Sequence, residues 1–184
     1  MLELLNAIDV KLFLFLNVTI ANPVFDFIMP IITNKYTWVP IWLAVIIGLL
    51  WKGGTKGRWV VLLAIITVSC ADLVAYRVMK KNIKRIRPCN AIEQVHLTVK
   101  RTNSYSMPSN HATNFFALAT IFSFFYRRYR IGLYTAAAVV AFSRISVGVH
   151  YPFDTLVGAL LGSAIAGLII LLFNKTLNKR VAII

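Results

Sequence analysis

The sequence is poor in acidic residues and in cysteine. Six Asp and Glu stand against twenty Lys and Arg in 184 residues, a formal net charge of +14. Charged residues reach only 14%, too few to cover the surface of an ordinary soluble domain. Of the two cysteines, Cys70 falls in an apolar run and Cys89 in a polar loop. Two cysteines without metal-ligand spacing define neither a disulfide framework nor a zinc site. The N-terminus lacks a basic leader and a small-residue cleavage motif, so a cleavable signal peptide is not expected. No internal repeat or low-complexity tract stands out, and the length suits one domain spanning 1–184.

What is abundant is apolar. Hydrophobic residues make up 59% of the chain, and the mean hydropathy is +0.73. In a soluble protein a charge of this sign would point to nucleic acid. Here it points to basic loops flanking membrane helices and meeting anionic lipid.

Several stretches approach the roughly 20 apolar residues that cross a bilayer. They are 36–51, 59–76, 112–126, 131–149 and 155–173, the last being the clearest. Tryptophans near both ends of the first resemble an aromatic belt. Gly158, Gly162 and Ser163 in the last supply small residues for close helix packing. Residues 1–34 are apolar but interrupted by Asn17, Asn22, Pro23 and Asp26. They read as an interfacial helix with a short membrane segment, or as a kinked sixth span. The expected architecture is all-α: a polytopic membrane bundle of about six helices.

Basic segments fix an expected orientation. With five spans from residue 36 onward, Lys52–Arg58, Arg127–Arg130 and the tail with Lys175, Lys179 and Arg180 fall on one side, which the positive-inside rule makes cytoplasmic. The outer side receives the loop from Lys80 to Asn110 and the connection around His150. That loop is also basic, so its charges call for a task other than topology.

Three clusters meet on this outer face. "KKNIKRIRP", Lys80 to Pro88, follows the second clear span, and Pro88 marks a helix end while pushing Arg87 out of helical geometry. Alone it reads as a juxtamembrane flank for anionic headgroups. "PSNH", Pro108 to His111, opens the third span with Ser109 as N-cap and His111 in the first turn. Alone it reads as a plain cap, although a helix N-terminus also suits a phosphate. "SRISVGVHYPFD", Ser143 to Asp154, puts Arg144, His150 and Asp154 at the start of the last span, with Pro152 in its first turn. An Arg144–Asp154 ion pair would leave the histidine without a task.

Span counting lets the clusters converge at one mouth. Lys80, Arg87 and Arg144, two histidines, one carboxylate and a helix N-terminus suit an anionic tetrahedral group such as phosphate. A neutral histidine can attack phosphorus if its other ring nitrogen is held as N–H. His150 with Asp154 can supply that arrangement. His111 can protonate the leaving oxygen and then activate water. Three fixed cations remove the need for a metal.

In order and internal spacing, "K-x6-RP" (Lys80, Arg87, Pro88), "PSNH" and "SR-x5-H-x3-D" (Ser143, Arg144, His150, Asp154) resemble the three signature motifs of the type 2 phosphatidic acid phosphatase superfamily. They cover residues 80–154. The resemblance implies a metal-independent, cofactor-free reaction through a phosphohistidine. It makes His150 the nucleophile, Asp154 its partner and His111 the general acid and base, with Lys80, Arg87, Ser109 and Arg144 on the phosphate. Asn110 stands where the family usually has glycine; it keeps the backbone N–H and takes a place among the phosphate-binding residues.

The substrate implied is an envelope lipid in a bacterial inner membrane, approached from the periplasm or exterior. Lipid A 1-phosphate and undecaprenyl pyrophosphate lead, with phosphatidylglycerophosphate and phosphatidic acid as alternatives. A metal site of His111, His150 and Asp154 is the competing chemistry, disfavoured by three repelling cations. A non-catalytic anionic-lipid binder is the competing class. Nucleic-acid binding is disfavoured because the charge is split between faces. His96 is expected to face solvent. Asp72 is expected to pair with Arg77 or to make a structural hydrogen bond. Lys100 and Arg101 read as lipid contacts or a second anion site.

Overall fold

The computed structural model describes residues 2–177, and every regular element among them is helical. The first helix, α1 (Leu2–Leu14), runs into a wide π-helical turn at Phe15–Thr19. Helices α2 (Pro23–Thr33), α3 (Lys35–Lys52) and α4 (Gly54–Leu73) follow. A second π-helical turn, Val74–Lys80, leads to the short α5 (Lys81–Ile83) and α6 (Pro88–Ala91). After an irregular loop come α7 (Asn110–Phe125), α8 (Arg130–Ser146) and α9 (Pro152–Leu177). Of the basic tail, Lys179 and Arg180 lie outside the described residues.

Helix α7 is the hub. It packs against α4, α8 and, most extensively, α9. The interior between them is filled by Val60, Leu63, Ile121, Ala166, Ile170 and Phe173. The outer faces stay apolar: Leu43, Ile47, Leu160 and Leu171 are all exposed. Helices that are hydrophobic on both faces match a hydrocarbon solvent, not water. Close approach of α9 to α7 depends on glycine. A Cβ at Gly162 would run into the Thr113 carbonyl, and one at Gly158 would stand 2.7 Å from the Ser109 carbonyl oxygen.

Among the described residues, two stretches are long and apolar enough to cross a membrane: Gly54–Ala91 and Pro152–Lys175. A bent pair, Glu3–Thr19 with Pro23–Thr33, passes the same test only when taken together. Helices α3, α7 and α8 have 18, 16 and 17 residues. At 1.5 Å per residue they reach about 24–27 Å, slightly short of a ~30 Å hydrocarbon core.

The N-terminal segment turns through 114° between its two helices, and each polar interruption has a structural task. Asn22 caps α2 by accepting from the Val24 and Phe25 N–H groups at 3.0 and 3.1 Å, and Pro23 occupies the first helical position. Asn17 is buried; its amide donates to the His96 and Ser146 carbonyls at 2.9 and 2.8 Å and accepts the His96 N–H at 2.9 Å. Asp26 meets His96 Nε2 at 2.7 Å. His96 therefore does not simply face solvent. It clasps the loop before α7 to the N-terminal segment.

Candidate active site

Two backbone features bring the first cluster inward. The π-helical turn ends on Lys80, and such turns shift side chains relative to a regular helix. Lys84 then takes a left-handed conformation, φ 50°, and ends α5. Helix geometry thus stops at Ile83, and Pro88 opens a new short helix instead of closing the old one. Arg87, before the proline, is extended (φ −72°, ψ 152°) as sterics require. Lys80 and Arg87 are both buried, at 4% and 5% exposure. Lys80 Nζ donates to the Tyr105 carbonyl at 2.8 Å and Arg87 Nε to the Ser104 carbonyl at 2.8 Å.

The third cluster turns on Gly148. Its φ is +85°, and a Cβ there would meet Val95 Cγ1 at 2.8 Å and the His96 carbonyl at 2.9 Å. The turn delivers His150 to the start of α9. Its Nδ1 lies 3.4 Å from Asp154 Oδ2, and its Nε2 lies 3.0 Å from Arg87 Nη1. Arg87 can only donate, so Nε2 is the acceptor and Nδ1 carries the proton toward Asp154. Burial first, then the charges of Arg87, Arg144 and Lys80, hold His150 well below its ordinary pKa. The imidazole is neutral with its lone pair on the cavity side.

These side chains meet in a cavity of about 1180 Å³ lined by Lys80, Arg87, Asn110, His111, Arg144 and His150. Lys35 and Lys100 complete its wall, so five cations line it and no carboxylate does. Fixed positive charge without a resident counter-charge suits a multiply charged anion. Lys100 reaches this wall; Arg101 does not.

Several expected roles are modified. Ser109 holds the N-cap position of α7 but makes no side-chain cap bond. It is fully buried off the cavity wall, its Oγ unpartnered and its N–H bonded to the Asp154 carbonyl at 2.9 Å. Asn110 lies on the wall, but its amide turns to Asp72 Oδ1 at 2.7 Å. Asp72 thus makes the structural hydrogen bond, not an ion pair with Arg77. Arg144 does not pair with Asp154. Its Nη1 donates to Thr33 Oγ1, and its Nε is buried without a partner. Thr33 also receives a hydrogen bond from His111 at its backbone carbonyl. The end of α2 therefore positions two cavity residues that the sequence motifs place far away.

The partner that Asp154 does find is Arg85, whose Nη1 donates to Oδ1 at 2.9 Å. Arg85 also lies 2.7 Å from Asp9 Oδ2 on α1. That second pair is close but out of line for a hydrogen bond, so its attraction is ionic. The Arg85 guanidinium stacks 4.0 Å over the Tyr151 ring. Asp9 Oδ1 accepts the Phe153 N–H at 2.9 Å, capping α9 from 144 residues away. Tyr151 N–H donates to Asp154 Oδ2 at 2.9 Å. Arg85, Asp9, Thr33 and Lys35 escaped the sequence reading. The one available signal was Asp9 itself, a rare acid in an apolar helix.

Residues 58–177 match the PAP2 superfamily. The chain is 30% identical over 170 residues to a lipid A 4'-phosphatase of Bacteroides thetaiotaomicron, covering 88% of this chain and 75% of that one. It is 35% identical over 166 residues to the undecaprenyl-diphosphatase BcrC of Bacillus subtilis, covering 89% and 82%. Its fold is similar to the crystal structure of a transmembrane PAP2-type phosphatidylglycerolphosphate phosphatase from Bacillus subtilis, with a TM-score of 0.72, 22% identity and coverage of 96% and 88%. The Aquifex aeolicus LpxE structure is similar at a TM-score of 0.68, 22% identity and coverage of 88% and 93%. Family match and fold agree with the three motifs, and the chain belongs to the PAP2 superfamily as a membrane lipid phosphatase.

Proposed function

We propose that this enzyme hydrolyses a phosphomonoester or pyrophosphate of an envelope lipid through a phosphohistidine on His150. The observation that carries the reading is the neutral, buried His150, held between Asp154 on Nδ1 and Arg87 on Nε2 at the wall of an all-cationic cavity. Arg87 Nη1 engages the lone pair of His150 Nε2. A phosphate entering the cavity offers that guanidinium a better acceptor and frees Nε2 to face phosphorus.

The steps then follow. His150 Nε2 forms the P–N bond as the P–O bond breaks, and the departing electron pair stays on oxygen. His111, which takes up a proton as the negative phosphate offsets the surrounding cations, gives that oxygen the proton. Asp154 stabilises the imidazolium that forms at His150, with the orientation logic of a catalytic triad. Lys80, Arg87 and Arg144 bear on the equatorial oxygens, and the first backbone N–H groups of α7, at Asn110 and His111, add a helix N-terminus. In the second step His111 takes a proton from water, which attacks phosphorus and releases His150. Ser109 supports the site through its backbone bond to Asp154.

No metal enters these steps: Asp154, the carboxylate that would complete a ligand set with His111 and His150, is committed to Arg85, Tyr151 and His150. The enzyme acts as one domain with about six membrane-embedded segments, three of them short. Its site faces the periplasm or exterior of a bacterial inner membrane. Two features support that orientation. The catalytic ends of the helices gather at the cavity, while Lys56 lies 5.1 Å over the Tyr126 ring and joins two basic loops at the other end. Lipid A 1-phosphate and undecaprenyl pyrophosphate lead as substrates. Names of both kinds occur among the relatives, the undecaprenyl-diphosphatase at 35% identity and a lipid A 1-phosphatase at 27%.

The test is a single-turnover reaction of purified protein with a labelled lipid phosphate, quenched in alkali. Acid-labile phosphate should be trapped on His150, with turnover persisting in a strong chelator and blocked by vanadate. A His150→Ala protein that still releases phosphate, with no adduct in the wild type, would sink the mechanism. It would leave the non-catalytic lipid binder as the better reading.

A further inference from the structure

The cationic cavity has a neighbour. A second cavity of about 540 Å³ lies among α3, α4 and α7, walled by Trp38, Trp42, Val61, Ile65, Leu118 and Phe122. Lys35, Asn110 and His111 line both. Under the phosphatase reading, an apolar groove sharing a wall with the phosphate cavity receives the lipid's hydrocarbon. Hydrocarbon alone does not account for Asp72, an accessible carboxylate on the groove wall next to that shared boundary.

Asp72 organises two amides. Its Oδ1 accepts Asn110 Nδ2 at 2.7 Å and, more loosely, Asn114 Nδ2 at 3.5 Å. A carboxylate accepts only, so it fixes each amide with its NH₂ toward Asp72. The two amide oxygens are thereby left as acceptors, and both are buried without a partner. The boundary between phosphate cavity and groove thus sets two amide oxygens and the Asp72 carboxylate, all acceptors, beside Lys35 and His111. Unpaired buried acceptors are costly, and a ligand that brings O–H or N–H groups relieves the cost.

Lipid phosphates differ at this point. Next to its phosphates a polyprenyl diphosphate carries only hydrocarbon, and it brings extra negative charge toward Asp72. A phosphorylated sugar or glycerol carries hydroxyl groups, and an acylated amino sugar also an amide N–H. A site built to bind such donors rejects analogues that lack them more strongly than an apolar pocket can reject a size change. We propose that Asp72, Asn110 and Asn114 form a headgroup subsite that selects lipids whose phosphate is carried on a hydroxylated or amide-bearing group, and that discriminates against polyprenyl diphosphates. This inference rests on the phosphatase reading and narrows its substrate class.

The experiment compares kcat/KM of the purified full-length enzyme in detergent on three probes: a phosphorylated acylated glucosamine lipid, phosphatidylglycerophosphate and undecaprenyl diphosphate. The wild type should favour one of the first two over the third by tenfold or more, and which of the two leads identifies sugar or glycerol as carrier. Asp72→Ala should lower that preference at least tenfold. Asn114→Leu, which keeps the volume and removes an acceptor, should shift it the same way. A wild-type preference for undecaprenyl diphosphate overturns this inference alone. So does an Asp72→Ala protein that loses activity on every probe in proportion, because that is a purely structural role. Absence of turnover on all three by folded wild type overturns the phosphatase reading as well.

Discussion

At the scale of single residues, the site depends on one histidine being kept uncharged. An ordinary histidine protonates near pH 6.5; burial and the surrounding cations push His150 well below that. A lowered pKa means protonation needs more acid, so the proposed nucleophile stays available as pH falls through 6.5. In spectra of ¹⁵N-labelled histidines, the resonance missing from His150→Gln should still report a neutral imidazole at pH 5.5. Asp154 should depend on its remote partners. Asp9→Asn weakens the ionic hold on Arg85, so we expect kcat to drop about tenfold with KM little changed, as happens when a group that holds a reacting side chain in place is loosened. A KM-only effect would argue against positioning. The motif residues were legible in sequence because phosphate chemistry demands particular side chains at fixed spacing. Arg85, Asp9 and Thr33 were not, since each acts across 69 residues or more and in no local pattern.

At the scale of elements, helices α3, α4, α7, α8 and α9 were legible from apolar runs alone, and so was the glycine seam of α9. Gly162→Leu should drive a side chain into the Thr113 carbonyl. Overpacking of this kind costs about 1–3 kcal/mol, so thermal unfolding in detergent should start several degrees lower, with activity falling alongside. Helix ends were read less well. Pro88 looks like a stop in sequence, yet the chain leaves helix four residues earlier at Lys84, where a left-handed residue makes the turn. The 114° bend near the N-terminus was legible only as a set of interruptions. Asn17 and Asp26 make sense there once the carbonyls of His96 and Ser146 and the His96 ring are beside them. Asn17→Leu should therefore leave α1 and α2 helical but loosen their clasp, read as faster amide exchange around residues 94–97.

At the scale of the whole molecule, charge is sorted by place. One end carries basic loops joined through Lys56 and Tyr126; the other carries five cations around a cavity. In a protein without Cys70 and Cys89, Glu93→Cys should react with a membrane-impermeant maleimide from outside intact cells, and Thr55→Cys only after permeabilisation. The reverse pattern would invert the proposed orientation. The class, and the meeting of the three motifs at one end of the bundle, were legible from composition and span counting. The groove beside the site was not, because the sequence does not reveal which apolar faces remain unfilled. The long reach of Asp9 has one more consequence, a matter of timing. Helix α1 leaves the ribosome well before α9, but the Phe153 N–H and the Asp154–Arg85 pair that hold Asp9 arrive only with α9. Asn17 likewise waits for the carbonyls at residues 145 and 146. An early helix is thus locked by a late one, and a partly synthesised protein already carrying Lys80, Arg87 and His111 still lacks the proposed nucleophile, His150, with which to act on the lipids around it.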